Sequence, residues 1–179
     1  MGLGTLIEAV AFAAEKHRDQ RRKDVAASPY INHPIALANV LANEGGVTNL
    51  TALCAAVLHD TVEDTDTTEQ ELIQRFGSDI ASVVMEVTDD KSLDKARRKE
   101  LQVEHAPHLS YAARLVKLAD KISNLRDILA SPPADWPVER KEAYFDWAAK
   151  VVAGLRGTHP GLEAVFEGVY ARRTELGCR

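Results

Sequence analysis

Cysteine is nearly absent from this chain: there are two in 179 residues, Cys54 inside an apolar run and Cys178 beside the C-terminus. Neither belongs to a CxxC pair, so neither a thiolate zinc site nor a disulfide framework is implied, and a reducing compartment fits. A long apolar stretch is missing too, since no run approaches the ~20 residues that cross a bilayer as a helix. The first residues, MGLGTLIEAVAFAAEK, have no basic lead-in and carry Glu8 among their apolar positions, which reads as a helix rather than a secretory leader. Basic excess is also lacking. Lys and Arg number 22 against 27 Asp and Glu, a net charge of −5, which argues against a partner bound by broad neutralisation of nucleic-acid phosphates. That balance leaves room for a small phosphorylated ligand held by a local basic cluster. No alternating strand pattern, internal repeat or low-complexity linker occurs. With 45% hydrophobic and 27% charged residues, the composition is that of a globular protein, expected to be one domain over residues 1–179, cytoplasmic and without a membrane partner.

Apolar residues recur at helical spacing along most of the chain. Leu6, Ile7, Val10, Ala13 and Ala14 predict a helix over Leu3–His17. Pro34 at a first turn and Gly45-Gly46 at the end bracket another from Pro34 to about Asn43, with His33 at its N-cap. Thr48 or Asn49 caps an apolar run ending near His59-Asp60. Thr68 with Glu71 has capping-box spacing, Gly77 closes that short helix, and Ser78 caps the next, whose stripe is Ile80, Val83, Val84 and Val87. A polar helix spans Lys91–His105. The longest, from Ser110 to Ala130, has Leu115, Leu118, Ala119, Ile122, Leu125 and Leu129 in its buried rows. Two more run from about Val138 to Leu155 and Gly161 to Leu176. The fold expected is an all-α helical bundle of roughly eight helices.

Chemistry concentrates in Leu58-His59-Asp60-Thr61-Val62-Glu63-Asp64-Thr65. His59 and Asp60 are potential ligands, and Glu63 and Asp64 follow at once. Adjacent residues cannot share a side in mid-helix, but both can face one point where a helix ends and the backbone turns. His33 and Asp120 are further candidates. Lys117, Asp120, Asn124 and Asp127 form a narrow polar stripe up the largely apolar Ser110–Ala130 helix, and burying such a stripe is costly unless its groups pair or coordinate something. Singly, each feature has a plainer reading: His33 as a turn residue, the stripe as a solvated face with a salt bridge, Arg18–Lys23 as an ordinary charged helix end. Together they favour a site. Two imidazoles and two carboxylates suit an octahedral Mn²⁺ or Fe²⁺ with bound waters better than a closed zinc site.

These residues resemble the H…HD…D ligand set of HD-domain phosphohydrolases. Pro29-Tyr30-Ile31-Asn32-His33-Pro34, the Leu58–Thr65 stretch, and Lys117-Leu118-Ala119-Asp120-Lys121 through Asn124-Leu125-Arg126 are similar to the hydrolase domain of Rel/Spo-type alarmone enzymes. The likeness is greatest to the stand-alone small hydrolases of the Mesh type. The resemblance implies removal of the 3′-pyrophosphate from ppGpp or pppGpp, giving GDP or GTP, with Mn²⁺ as cofactor and a guanosine nucleotide as the partner. Carried over by position, it makes His33, His59, Asp60 and Asp120 metal ligands. Glu63 and Asp64 would be the catalytic carboxylates that orient and deprotonate water. Arg22, Lys23, Asn124 and Tyr144 would contact the nucleotide. Where long Rel/Spo proteins have a shorter, Gly-containing loop, this chain has Arg22-Lys23-Asp24-Val25-Ala26-Ala27-Ser28-Pro29-Tyr30, like the small hydrolases. The same site chemistry would serve another nucleotide, such as the 2′-phosphate of NADPH. A non-catalytic nucleotide sensor would have no need of Glu63 and Asp64, and a helix-turn-helix DNA binder would need a basic recognition helix that is not there.

Overall fold

A computed structural model describes residues 2–177, so Cys178 lies outside the described residues. Among them the chain is helical throughout with no strand: α1 (Leu3–Lys16), α2 (Asn32–Asn39), α3 (Leu50–Leu58), α4 (Thr61–Asp64), α5 (Glu69–Phe76), α6 (Ser78–Val87), α7 (Lys95–His105), α8 (Tyr111–Ala130), α9 (Val138–Gly154) and α10 (Pro160–Ala171). The all-α expectation holds. The count exceeds roughly eight, partly because Thr61–Asp64 closes into a single turn of its own. No helix is long and apolar enough to cross a membrane.

At the centre lies α3. Every side chain from Ala52 to Leu58 is buried, the signature of a helix apolar on all sides and wrapped by others. Its neighbours are α1, α2, α6 and α8. Phe12 of α1 meets Phe76 of α5 edge to face at 5.5 Å, and Leu37, Leu41, Leu115, Leu118, Ile122 and Leu125 complete the interior with no exposed surface.

Local chemistry sets the helix ends. Asn49 caps α3 by accepting from the Ala52 N–H at 3.0 Å. Thr68 accepts from Glu71 N–H at 3.2 Å, and Ser110 from Ala113 N–H at 3.3 Å. Three expectations need correction. His33 is not an N-cap but the second residue of α2, after Ile31 as cap. Pro34 thus sits at the third helical position, where its missing N–H falls among the first-turn donors that lack intrahelical partners anyway. Ser78 is likewise inside α6. Gly77, at φ +87, ends α5 and begins α6 by itself, leaving no separate position for a serine cap. The helix expected from Lys91 begins at Lys95, because the Asp94 carboxylate accepts from Arg97 N–H at 3.0 Å.

After α2 the chain continues through a widened turn, Val40–Glu44, in which Gly45 N–H donates five residues back to Val40 at 2.9 Å. A Cβ on Gly45 would meet the Leu41 carbonyl at 2.9 Å and the Leu162 methyls at 3.0 Å, so α10 packs here only against a glycine.

Replacing Leu37, fully buried on α2, with alanine is expected to lower stability by about 2–5 kcal/mol. Urea unfolding checks this through a lower midpoint at unchanged slope.

Candidate active site and metal centre

The site forms where α3 runs out. The His59 ring donates from Nδ1 to the Ala56 carbonyl at 2.8 Å, which fixes the tautomer and turns Nε2 inward as an electron-pair donor. Asp60, at φ −100 and ψ 0, makes the bend before α4 and brings its Oδ2 to 2.9 Å from His59 Nε2. The bend therefore does what adjacency in mid-helix forbids. From α2, His33 enters with its ring 5.4 Å from that of His59. One donor atom from each of His33, His59 and Asp60 falls within 4.8 Å of the others. From α8, Asp120 Oδ1 lies 3.2 Å from His33 Nε2. His33, His59 and Asp60 thus meet at one point, Asp120 adjoins it through His33, and all four line one cavity and are buried or nearly so.

The two aspartates are held from behind. Tyr30 donates its hydroxyl to Asp60 Oδ2. Asp120 accepts from Asn124 Nδ2 at 2.6 Å on Oδ1 and from Lys121 Nζ at 2.9 Å on Oδ2. Lys121 is 2% exposed, also donates to Gln102 Oε1 at 3.0 Å, and lies 4.2 Å above the Trp147 ring. Burial alone would raise the Asp60 carboxyl, but the His59 ring, the His33 ring and the Tyr30 hydroxyl outweigh it and hold the group below the usual carboxylate range. For Asp120, burial is opposed first by Lys121 and then by His33, and the carboxyl again falls well below its ordinary value. Burial disfavours charge on His59, yet Asp60 beside it raises its pKa overall. Two electron-rich atoms facing at 2.9 Å need positive charge between them. A proton on His59 supplies it, and a divalent cation bound by these nitrogen and oxygen donors would replace that proton. The donor set fits such an ion.

The carboxylates that follow face different ways. Glu63 lines a cavity of about 190 Å³ together with His33, His59, Asp60 and Asp120. Burial, with the charges of Asp60, Asp89 and Asp64, raises its pKa against an Asp89 N–H bond at 3.2 Å. Asp64 instead lines a larger cavity of about 490 Å³, with Arg22, Lys23, Asn124, Asp127, Trp136 and Tyr144 around it. Arg22, Tyr30, His33, Asn124 and Tyr144 border both spaces. All four residues expected at the nucleotide therefore reach the larger cavity. Arg22 is bonded there to Asp127 and lies 5.7 Å from the Tyr30 ring. Tyr144 stands between Trp136 and Trp147, at 5.7 and 5.1 Å between centroids. The polar stripe of α8 lines cavities, Lys117 and Asp120 the smaller, Asn124 both, and the half-exposed Asp127 the larger. The long loop before α2 is organised by Asp24, which accepts from Ser28 N–H at 2.9 Å and Ser28 Oγ at 2.6 Å.

Sequence reasoning gave no role to Tyr30, Lys121, Gln20 or Trp136. Lys121 had a signal, since it falls in the buried row between Leu118 and Leu125, where a lysine needs a partner. Gln20 had none.

A family model described as HD domain matches residues 9–154. The guanosine-3′,5′-bis(diphosphate) 3′-pyrophosphohydrolase MESH1 of Danio rerio is 54% identical over 168 residues, covering 94% of this chain and 93% of its own. The human protein of that name is also 54% identical, covering 94% of each chain. A solved structure, described as a metazoan ortholog of SpoT that hydrolyzes ppGpp and plays a role in starvation responses, superposes with a TM-score of 0.93 at 46% identity over 97% of each chain.

The Asp120–Lys121 pair is buried enough that removing one partner strands the other. Lys121→Ala is expected to cost about 3–5 kcal/mol, read as a lowered denaturant midpoint.

Proposed function

The chain belongs to the HD-domain family and, within it, to the MESH1 family, and we propose that it is a Mn²⁺-dependent hydrolase that removes the 3′-pyrophosphate of ppGpp and pppGpp. One observation carries this reading: a buried two-histidine, two-aspartate cluster adjoins a cavity walled by Arg22, Lys23 and the tilted rings of Trp136 and Tyr144. The larger cavity has the volume of a small-molecule site. Residues 1–179 act as one hydrolase unit, in a reducing, cytoplasmic setting where buried Cys54, with its thiol pushed up to about 11, is inert. Its partner is a guanosine nucleotide, not a nucleic acid.

His33, His59, Asp60 and Asp120 would hold the cation. When bound, it supplies Lewis acidity, polarising a water and offsetting charge on a phosphoryl oxygen. The chain's own residues do the rest. Glu63, in the smaller cavity with a pKa raised toward the working range, accepts the proton as water attacks phosphorus. Asp64 orients that water from the nucleotide side. The phosphorus–oxygen bond to the ribose 3′ oxygen breaks, that oxygen takes up the proton held on Glu63, and GDP or GTP parts from pyrophosphate. Arg22 and Lys23 stabilise the spreading charge, Arg22 by its planar fork and the exposed Lys23 as a point charge. For Arg22 to engage, a phosphate must take the place of Asp127. Asn124, bonded to Asp120, borders both cavities and is placed to touch ligand and ligand-holder together. Tyr144, Trp136 and Ile128 offer the apolar surface on which a flat base rests.

Turnover of ppGpp and of NADPH by the purified protein with Mn²⁺ tests the substrate. Release of GDP and pyrophosphate supports the proposal, and exclusive release of phosphate from NADPH overturns it. Asp120→Ala is expected to abolish hydrolysis and to lose bound Mn²⁺ on elemental analysis. Glu63→Gln should keep the metal while lowering kcat by ~10²–10⁴-fold, the usual worth of a positioned base.

A further inference from the structure

The turn after α1 contains two polar residues that no part of the reaction described above uses. His17 is 1% exposed, and its Nε2 is buried without a partner. Its Nδ1 lies 2.7 Å from Gln20 Oε1. Gln20 Nε2 in turn donates to Asp64 Oδ2 at 2.9 Å. The directions of these bonds are forced. A carboxylate only accepts, so the nitrogen end of the Gln20 amide faces Asp64 and the oxygen end faces His17. His17 Nδ1 therefore carries a proton and donates it.

The base of this chain of bonds is rigid. Gln20 N–H donates to His17 O at 3.0 Å, and Gln20 O accepts from Tyr30 N–H at 3.0 Å. The His17 ring packs 4.9 Å from Tyr30, the same tyrosine that fixes Asp60. On its other oxygen Asp64 is met by Lys91, whose side chain is half exposed. A solvent-screened contact of that kind orients little. The inner grip is the one that sets direction.

We infer that Gln20 and His17 are positioning residues for Asp64: His17 locks the amide of Gln20, and Gln20 aims the Asp64 carboxylate into the active site. The inference rests on the hydrolase reading above. It assigns no contact between His17 and substrate; His17 acts through Gln20.

Gln20 also borders the larger cavity, so removing its amide donor should misaim Asp64 while leaving the four metal-holding residues in place, and KM reports any direct part Gln20 has in that cavity. Gln20→Leu is accordingly expected to lower kcat for ppGpp by about 10–100-fold, the usual effect of losing an orienting partner, with KM and Mn²⁺ content near wild type. His17→Leu should follow it. His17→Asn, whose side-chain NH₂ reaches the place of Nδ1, should recover most of the lost rate. An unchanged kcat in Gln20→Leu, a loss of metal in step with rate, or equal kcat in the two His17 variants overturns the inference. A second measurement needs no turnover: ¹⁵N NMR of the His17 ring should show the proton on Nδ1, and a ring protonated only on Nε2 overturns it. Should the wild-type protein fail to hydrolyse ppGpp, the substrate reading falls, while the NMR result still decides the bond network.

Discussion

A helix that is apolar on every side cannot end inside a protein without finding partners for its last carbonyls. In α3 those partners are the site itself. The Ala56 carbonyl takes the His59 ring N–H, and the Leu58 carbonyl takes the Thr61 hydroxyl at 2.7 Å. Satisfying the backbone and aiming His59 and Asp60 are thus one event. His59 is pointed because Ala56 needs a donor, and Asp60 turns inward because the chain must bend before Thr61. The rest of the bundle is arranged to bring His33 and Asp120 to that end, which is why α2 and α8 both pack on α3.

Charge follows the same economy of placement. The protein is acidic overall, and its site gathers several carboxylates in a buried space, yet its proposed substrate is a polyanion. The buried acids are each neutralised locally: Asp60 by His59 and Tyr30, Asp120 by Lys121 and Asn124. The outer cavity presents Arg22 and Lys23 from the loop before α2. Asp24, Asp64 and Asp127 stand among those cations, Asp127 bonded to Arg22 and 3.8 Å from His33 Nδ1. An inner compensated acid cluster beside an outer cavity that carries Arg22 and Lys23 would let one small volume hold a cation and receive phosphates.

Much of this was legible in the sequence. The periodicity of α8 marked its buried rows, Thr68 caps where its type and spacing suggested, and of Thr48 and Asn49 it is Asn49 that caps α3. The four cluster residues could be named because motif spacing survives in linear order. The misses have a common cause, which is geometry that depends on a neighbour. His33 entered the helix because Pro34 is harmless anywhere in a first turn. Ser78 lost its capping place to a glycine able to end one helix and start the next. Glu63 and Asp64, adjacent in sequence, face separate cavities, which no spacing rule resolves. Gln20 is an unremarkable polar residue in a charged run until the fold places Asp64 beside it.

The meeting of His33 with Asp120 also governs when the centre can exist. These residues come from opposite halves of the chain, and closing so long a loop must precede any contact between them. A nascent chain carrying α2 and α3 but not yet α8 holds an incomplete set of donors. A cation drawn to the full set would therefore favour the finished bundle over forms that hold only His33, His59 and Asp60, raising its stability by mass action. Metal supply would then act on the lifetime of the completed protein more than on the path by which it folds.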